Sequence, residues 1–269
     1  MIGLRTLCAL GLVLVALPAQ AGTDRVKIFI ADLNNEAGEI RAAAALALGE
    51  AGDRRAVEPL KKVLNDEYVD VRKAGAWALG ELGDKSSAAA LEKSLQKDGA
   101  SQVRMAAAGA LGKLRVTSSA ASLKAALADT DSGVRAQSVE ALASVAGIDA
   151  VADAQALLTD ENWSVRCSAT NALGAVKSRE SVAALANALG VDDIDYVRAG
   201  AAHALGNIGD KAAIPALKAA LKDSSAKVRG EAASSLLRLG YTKDDQDFTG
   251  VVTKPDAVPT PAETGGIEL

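Results

Sequence analysis

The chain has 269 residues, a formal net charge of −4, one histidine and two cysteines. Hydrophobic residues make up 49% of it but aromatic residues only 3%, so the apolar content is mainly alanine and leucine. Without clustered Lys and Arg to displace counterions, duplex nucleic acid is excluded as a partner. A single histidine excludes catalytic mechanisms and metal sites that need several imidazoles.

The first 21 residues have the layout of a secretory signal peptide. Arg5 supplies a positive start, residues 7–17 are apolar, and Ala19-Gln20-Ala21 is a small-residue cleavage site. The apolar stretch is shorter than the about 20 residues that cross a bilayer. We therefore expect cleavage after Ala21 and export to the periplasm or outside the cell. We expect no membrane insertion of the mature chain, which would be residues 22–269.

Cleavage at that point would leave Cys167 as the one remaining cysteine. An unpaired cysteine cannot form a disulfide within the chain, so the fold is predicted to lack one. We interpret Cys167 as a small apolar helix residue, and a free thiol open to modification is the alternative.

A pattern of 31 or 32 residues recurs seven times along the chain. Each copy has an aliphatic residue followed by Arg, an acidic or amide residue six positions before that Arg, and Leu seven positions after it. The arginines are Arg41, Arg72, Arg104, Arg135, Arg166, Arg198 and Arg229, and the residues six positions before them are Asn35, Asp66, Asp98, Asp129, Asp160, Asp192 and Asp223. Gly follows the Leu in five copies, as in ALGEAGD and ALGNIGD. Rules that hold across seven copies identify an internal repeat.

Each copy is predicted to form two helices. Leu recurs at i and i+4 before the Asp, as at Leu60 and Leu64, which marks one helical face. The Asp opens a turn, where its side chain can cap the next helix or accept from loop amides. The second helix begins near the Val-Arg pair and ends at the Gly, which supplies a positive φ. Because such short helices need stacking, we predict an all-α fold, an α-solenoid of about seven two-helix repeats over residues 22–241.

The repeat resembles the HEAT-like repeats of the phycobilin-lyase class. The matching motifs are DxxxxVR, as at residues 66–72, 160–166 and 223–229, followed by ALGxxGD, as at residues 78–84 and 204–210. The resemblance covers most of the mature chain and implies a solenoid fold. In the middle copies, Arg115-Val116, Ala146-Gly147 and Lys177-Ser178 replace the Gly-Asp pair, so the helix ends there are less clearly predicted.

The recurring Arg and Asp residues have two interpretations. The seven arginines could form a row that binds a polyanion. Alternatively, each Arg pairs with an acid of its own or the adjacent repeat and ties neighbouring repeats together. Because the two residue types recur in lock-step, we expect the structural pairing, and we expect Arg substitutions to lower stability more than binding.

The predicted binding surface lies on the second helices. Positions one, five and nine after each repeat Arg vary between copies, and their spacing of four places them in one stripe of a helix. Positions four, six and seven are apolar except for Thr170 and Ser235, and they are predicted to face the stack. We call the variable positions the second-helix stripe and expect them to be exposed, on a concave face.

Aromatic residues gather near this stripe. Trp77 belongs to it, and Tyr68, Trp163 and Tyr196 are predicted in the turns just before second helices. Exposed aromatics are favoured interface anchors, although packing over small alanines is the alternative for Trp77 and Trp163. The predicted partner-binding residues are Tyr68, Trp77, Lys113, Glu140, Trp163, Asn171, Tyr196 and His203. Their mixed charge disfavours a ligand of a single sign.

Two enzyme classes have similar repeats. Deoxyhypusine hydroxylase-like proteins hold two irons with several His-Glu pairs, whereas His203 is the single histidine here. Bilin lyase-like proteins attach tetrapyrroles inside the cell, and the expected export argues against that activity. Asp129, Asp131 and Glu140 superficially imitate a calcium loop, but Val134 stands where such a loop needs Gly. We expect no catalytic residues, no metal and no cofactor.

The sequence therefore predicts a non-catalytic, monomeric scaffold or adaptor that binds a protein or peptide along the second-helix stripe. The alternative is an accessory protein that binds a cofactor or apolar ligand and is related to bilin lyase-like repeat proteins. Residues 242–269, which contain Pro255, Pro259 and Pro261, lack a periodic apolar face and are predicted to be disordered.

Overall fold

The computed structural model describes residues 24–241, which form α-helices joined by turns and short 3-10 helices, without a strand. The helices of this part of the chain form seven pairs: α1 (Arg25–Asp32) and α2 (Gly38–Ala51), α3 (Val57–Val63) and α4 (Val69–Leu82), α5 (Ala88–Lys97) and α6 (Ser101–Leu114), α7 (Ala120–Ala125) and α8 (Ser132–Ala146), α9 (Val151–Ala156) and α10 (Trp163–Val176), α11 (Val182–Val191) and α12 (Asp195–Ile208), α13 (Ile214–Ala220) and α14 (Ala226–Arg238). The predicted all-α, solenoid-like fold is confirmed. The expectations for the signal peptide and for residues 242–269 concern segments outside the described residues.

The helices belong to two compact units, one ending at Asp153 and the other beginning at Ala154. In the first unit, α2, α4, α6 and α8 pack in succession, and in the second unit α10, α12 and α14 do the same. The core of each unit contains the Leu that follows each repeat Arg, such as Leu79 and Leu205, which are fully buried. First-helix leucines such as Leu91 and Leu217 are also fully buried. Stacking therefore buries the faces that the sequence periodicity marks as apolar.

The two glycines of the ALGxxGD motif have different roles. Gly80, the first, lies inside α4, where an added Cβ would be 2.9 Å from the Cα of Ala110 in α6. This position therefore allows close approach of neighbouring helices. Gly83, the second, ends α4 with a φ of 67°. The predicted helix stop thus belongs to the second glycine and not to the one that directly follows the Leu.

Two of the three middle repeats end their second helices at the same place without this glycine, whereas α8 continues one residue further, to Ala146, and is followed by Gly147 with a φ of 58°. Arg115 follows α6 with a φ of 50°, and Lys177 follows α10 with a φ of 58°. Both are in the left-handed region, which is unfavourable for a residue with a Cβ. The packing of the helices on either side of the turn therefore holds these residues in the left-handed conformation, and their strained backbone lowers stability locally.

Arginine and aspartate side chains join successive repeats. Arg104 donates through Nε and Nη2 to both carboxylate oxygens of Asp129, at 2.8 and 2.7 Å, and through Nη1 to the backbone carbonyl of Asp98 at 2.9 Å. Only 14% of the Arg104 side chain and 12% of the Asp129 side chain are exposed. The same two-oxygen contact joins Arg41 to Asp66, Arg72 to Asp98, Arg166 to Asp192 and Arg198 to Asp223. We call these pairs the Arg–Asp ladder, and they confirm the predicted structural role, with the acid supplied by the following repeat.

Each ladder aspartate also organises its own turn. Asp129 Oδ1 accepts from the backbone N–H of Asp131 at 2.9 Å, as predicted for a residue that bonds loop amides. The hydrogen bond from Arg104 holds the pKa of Asp129 below its usual range, although partial burial opposes this shift. The carboxylate therefore contributes to stability in its ionised form.

Residues 132–159 are long and apolar enough to cross a membrane by length and composition, with a mean hydropathy of 1.4 over 18 residues. They do not form one regular α-helix, because α8 ends before Gly147, whose φ is 58° and ψ is −122°. Val134 and Val139 of this stretch are fully buried. Core positions of the repeat thus contribute to the high hydropathy.

Candidate functional site

The second-helix stripe is accessible to solvent in the described residues. All of its side chains are exposed or half-buried, with the exception of Ala199, which is buried in the second unit. By contrast, the residues four and seven positions after the repeat Arg, such as Ala76 and Leu79, are buried in every copy except for the half-buried Ala233. Variation between copies therefore separates surface positions from stacking positions, as the sequence predicted.

In the first unit, the stripe contains a groove of about 630 Å³ across α4, α6 and α8. Trp77, Gly109 and Glu140 occupy the same repeat position in these three helices. Because Gly109 has no side chain, space remains between the large residues on either side. The remaining lining residues are Met105, Ala106, Ala110, Gly112, Lys113, Arg115, Gln137, Ala141 and Ser144. We call this feature the α4–α6–α8 groove.

The chemistry of the groove changes along α6. Met105, near the start of the helix, and Trp77 of α4 supply apolar surface. Lys113, at the other end of α6, forms an ion pair with Glu81 of α4, and Arg115 follows directly after the helix. Glu140 of α8 lines the side opposite Trp77. The groove can therefore accommodate an apolar group next to cationic and anionic side chains.

Trp163 and Tyr196 form a separate aromatic pair in the second unit. Their ring centroids are 6.1 Å apart and their planes are inclined by 40°. Trp163 is the first residue of α10 and Tyr196 is the second of α12, so both lie in first helical turns. The sequence analysis had placed them in the turns before these helices, and that prediction is wrong. The second helices therefore begin earlier than expected, two residues before the aliphatic residue of the Val-Arg pair.

Tyr68 is not part of the groove. It is the residue directly before α4, where predicted, and its ring packs on Gly38, at whose position a Cβ would be 3.1 Å from the ring. The Arg41 guanidinium carbon lies 5.3 Å from the ring centroid. Tyr68 therefore covers one end of the Arg–Asp ladder, although 53% of the residue is exposed.

Asn171 and His203 are exposed at the same repeat position of α10 and α12 in the second unit. His203 Nδ1 lies 3.1 Å from Glu231 Oε2 of α14. Of the eight predicted partner-binding residues, the structure brings Trp77, Lys113 and Glu140 into one groove. Their role in binding stays a prediction, as it does for the other five.

Other groove residues were missing from the predicted set. Met105 and Ser144 lie on the second-helix stripe, so the spacing rule already contained the signal for them. Gln137 and Arg115 are off the stripe positions, and their place in the groove depends on the packing of α6 and α8. The repeat pattern of the sequence contains no signal for these two residues.

Two of the three acidic residues that imitate a calcium loop are occupied by protein contacts, and Glu140 lines the groove. Asp129 binds Arg104, and Asp131 Oδ1 accepts from the N–H of Val134 at the start of α8. Within residues 24–241, no group of three or more His, Cys, Asp or Glu side chains is placed to hold a metal ion. Cys167 is half-buried, and burial raises the pKa of its thiol.

The repeated two-helix unit, its stacked second helices and its accessible stripe are features of HEAT repeats. The HEAT repeat family matches residues 26–112, 68–143, 119–206, 151–238 and 184–259, and this chain belongs to that family.

Two solved structures have similar architecture. The complex of CpcE and CpcF of phycocyanin lyase from Nostoc sp. PCC7120 is 25% identical, over 88% of this chain and 96% of that chain, with a TM-score of 0.55. YibA of Escherichia coli is 19% identical, over 89% of this chain and 96% of that chain, with a TM-score of 0.54, which shows a shared fold. No curated protein matches the chain. The resemblance to the phycobilin-lyase class of HEAT-like repeats is therefore confirmed.

Proposed function

We propose that this protein is a non-catalytic scaffold or adaptor that binds a segment of another protein in the α4–α6–α8 groove. The main support for the proposal is that three different residues, Trp77, Gly109 and Glu140, occupy the same repeat position in α4, α6 and α8. The repeat does not fix the residue type at this position, although the half-buried Trp77 also packs against the core of the first unit and next to Gly49. The volume of about 630 Å³ is within the range of ligand-binding clefts.

The side chains of the groove favour a segment with an apolar anchor. Trp77 and Met105 offer an aromatic ring and a polarisable thioether, which both pack well against apolar side chains. Lys113 is already paired with Glu81, so Arg115 is the groove cation best placed to accept a carboxylate from the partner. We infer a peptide segment with a large apolar residue close to an acidic one.

A protein partner is also supported by the nature of a similar structure. The structure from Nostoc is a complex of two proteins, CpcE and CpcF. Repeats of this kind therefore assemble with other chains, and we propose the same for this protein. The signal-like residues 1–21 support a role for the exported chain in the periplasm or outside the cell. We propose that it acts there as a monomer.

A second candidate function is that of an accessory protein with a bound cofactor or apolar ligand. The open groove beside Trp77 and Met105 favours it, because a flat apolar molecule could stack there. Visible absorbance that co-purifies with the protein and is lost in a groove variant would support this alternative.

Affinity capture with matched variants tests the proposal. The bait would be the protein, a Trp77→Ala/Met105→Ala variant, and a Leu46→Ala control, because Leu46 is an exposed apolar residue of the stripe outside the groove. We expect the protein and the Leu46 control to retain one partner and the groove variant to bind it about 2 kcal/mol more weakly. Equal binding by all three would show that the partner binds elsewhere.

A further inference from the structure

A smaller pocket lies between the first helices α3 and α5 of the first unit, and it shares no residue with the α4–α6–α8 groove. Its volume is about 250 Å³, and three of its lining residues are lysines. The lysines are Lys61 of α3 and Lys93 and Lys97 of α5. The other lining residues are Leu64, Asn65, Ala90, Ser94 and Asp98. We call this feature the lysine pocket.

The positive charges of the α5 lysines are not balanced by protein contacts. Lys93 and Lys97 are exposed one helical turn apart, and within residues 24–241 neither side chain forms an ion pair or a hydrogen bond. Asp98 is the acidic residue that lines the pocket. Its two carboxylate oxygens accept from Arg72 Nε and Nη2 at 2.7 and 2.9 Å, so the Arg–Asp ladder already compensates its charge. The α5 side of the pocket therefore has two uncompensated ammonium groups.

Lys61 is held at the α3 side of the pocket. Its Nζ donates to Glu58 Oε1 at 2.7 Å and to Ser86 Oγ, which lies just before α5, at 3.1 Å. The Lys61 side chain is 20% exposed, so these contacts keep it between the two helices. An ammonium group has three donors, and Lys61 therefore keeps one for a ligand. Because Glu58 balances its charge, the net charge of the pocket is that of the two α5 lysines.

The repeat itself does not require the α5 lysines. α5 and α11 both have ten residues, and both are followed by an Asp with extended backbone. When the two helices are aligned by their fully buried leucines, Asn187 and Val191 of α11 take the places of Lys93 and Lys97. A lysine in the last turn of a helix interacts favourably with the helix dipole. That interaction accounts for Lys97 but not for Lys93, which lies one turn earlier.

We propose that the lysine pocket binds the phosphate group of a phosphate monoester. Lysine binds phosphate as a point charge, and ammonium groups on two helices can contact a tetrahedral anion from different sides. The two uncompensated charges match a phosphate monoester, whose charge is about −1.5 to −2 at pH 7. Leu64 and Ala90 supply apolar wall for the organic part of the ester. Soluble phosphate esters and the headgroup of phosphatidic acid share this chemistry.

Titration of the isotope-labelled protein with methyl phosphate, followed through the backbone amide signals of residues 93–98 in nuclear magnetic resonance spectra, tests the proposal. The pocket variant is Lys93→Gln/Lys97→Gln, which removes both uncompensated charges and keeps long polar side chains. The matched control is Lys211→Gln/Lys222→Gln, two exposed lysines of the second unit, because it changes the net charge by the same amount. Dimethyl phosphate, a monoanion, serves as the control ligand.

We expect the protein and the control variant to bind methyl phosphate in a saturable manner. The pocket variant should bind it about tenfold more weakly or worse, because two charged donors are lost. Dimethyl phosphate should bind the protein more weakly than methyl phosphate, since its charge is smaller. The helical circular dichroism should be the same for all three proteins, because the substituted side chains are exposed.

Phosphatidylcholine vesicles with and without phosphatidic acid distinguish the two sources of the phosphate group. Retention of the protein, but not of the pocket variant, by vesicles with phosphatidic acid would assign the pocket to a lipid headgroup. Binding of methyl phosphate without such retention would assign it to a soluble ester. The proposal is overturned if the protein binds neither methyl phosphate nor these vesicles. It is also overturned if the pocket variant binds as well as the control variant, because the lysines of the pocket would then have no specific role.

Discussion

The Arg–Asp ladder and the α4–α6–α8 groove lie on the same helices but differ in how they depend on the repeat. Arg104 of α6 binds Asp129 of the following repeat, in a contact that recurs in four other copies. Gly109, five residues later on α6, lines a groove because it has no side chain, whereas Trp77 and Glu140 at the same repeat position have large ones.

This difference shows how the two kinds of residue can be separated within one chain. A contact that every repeat must make selects the same residues in every copy, and removing one of them should destabilise the fold. A surface that binds a partner needs different residues in each copy, and changing one of them should alter binding alone. The following predictions test whether that division holds.

The largest expected effect is on the ladder. Arg104→Ala leaves the carboxylate of Asp129 largely buried without its two-oxygen partner, so we expect the free energy of unfolding to fall by about 2–3 kcal/mol. Denaturant unfolding measures this change. The exposed Arg54→Ala serves as the control and should shift the free energy by less than about 0.5 kcal/mol. Capture of the partner below the unfolding transition should be normal for both variants. A loss of binding in Arg104→Ala would contradict the separation of stabilising residues from binding residues.

Two glycines on adjacent helices sharpen the same comparison. In Gly80→Ala the new Cβ meets the Ala110 backbone at 2.9 Å, so we expect a loss of about 2 kcal/mol of stability. Gly109 has room, because its Cβ would meet the Gln137 side chain at no less than 3.5 Å. Gly109→Leu should therefore fold and gain up to about 1 kcal/mol from helix propensity, while filling the groove.

Thermal unfolding and partner capture, measured together, distinguish these two variants. Gly80→Ala should lower the melting temperature and keep the partner, whereas Gly109→Leu should keep or slightly raise the melting temperature and lose the partner. If Gly109→Leu binds as well as the parent protein, the groove is not the binding site.

The ladder also predicts how stability depends on pH. Hydrogen bonds from Arg41, Arg104 and Arg198 hold the pKa values of their aspartates below the usual range. The stability they contribute is therefore complete above the unfolded-state pKa of about 3.9, and it is lost as the pH falls through the lower folded-state values. We expect a melting temperature that is nearly constant from about pH 7 to 5 and falls below about pH 4. In Asp129→Asn the neutral-pH value should be lower and the decline in acid smaller, and an unchanged acid decline would contradict this role.

The smallest expected effect concerns the helix ends of the middle repeats. Lys177 has a φ of 58°, so Lys177→Gly relieves an unfavourable backbone conformation and should raise stability by about 0.5–1 kcal/mol. The reverse change, Gly83→Ala at the equivalent end of α4, should lower stability by a similar amount. A stabilised Gly83→Ala would show that the second-helix ends are set by other contacts.

Most of the fold could be predicted from the sequence, because its information is local and repeated. The Leu spacing marks one face of each helix, and the recurring Arg and Asp predicted the ladder. The helix stop at Arg115 and Lys177 was less clear, since neither residue favours a positive φ and only packing holds them there. The first-turn positions of Trp163 and Tyr196 were also missed, because the exact start of a helix depends on its capping contacts.

The candidate site was predictable in part for the same reason. The second-helix stripe follows from helical periodicity, and it includes Trp77, Lys113 and Glu140. The sequence grouped Tyr68, Trp163 and Tyr196 with them, but the structure places Tyr68 over Arg41 and pairs Trp163 with Tyr196 in the second unit. Position along one helix indicates a face, whereas proximity across several helices depends on how these helices pack.

The sequence by itself determined the repeat, the helical class, the ladder and the exposed face, because each depends on spacings that recur every 31 or 32 residues. Only the tertiary structure decided that the groove is bounded by Trp77 and Glu140, that Gln137 and Arg115 complete it, and that Gly80 serves the stack while Gly109 opens the surface. The physical reason is that a groove is defined by distances between helices, and these arise from the close packing of side chains that a linear pattern does not contain.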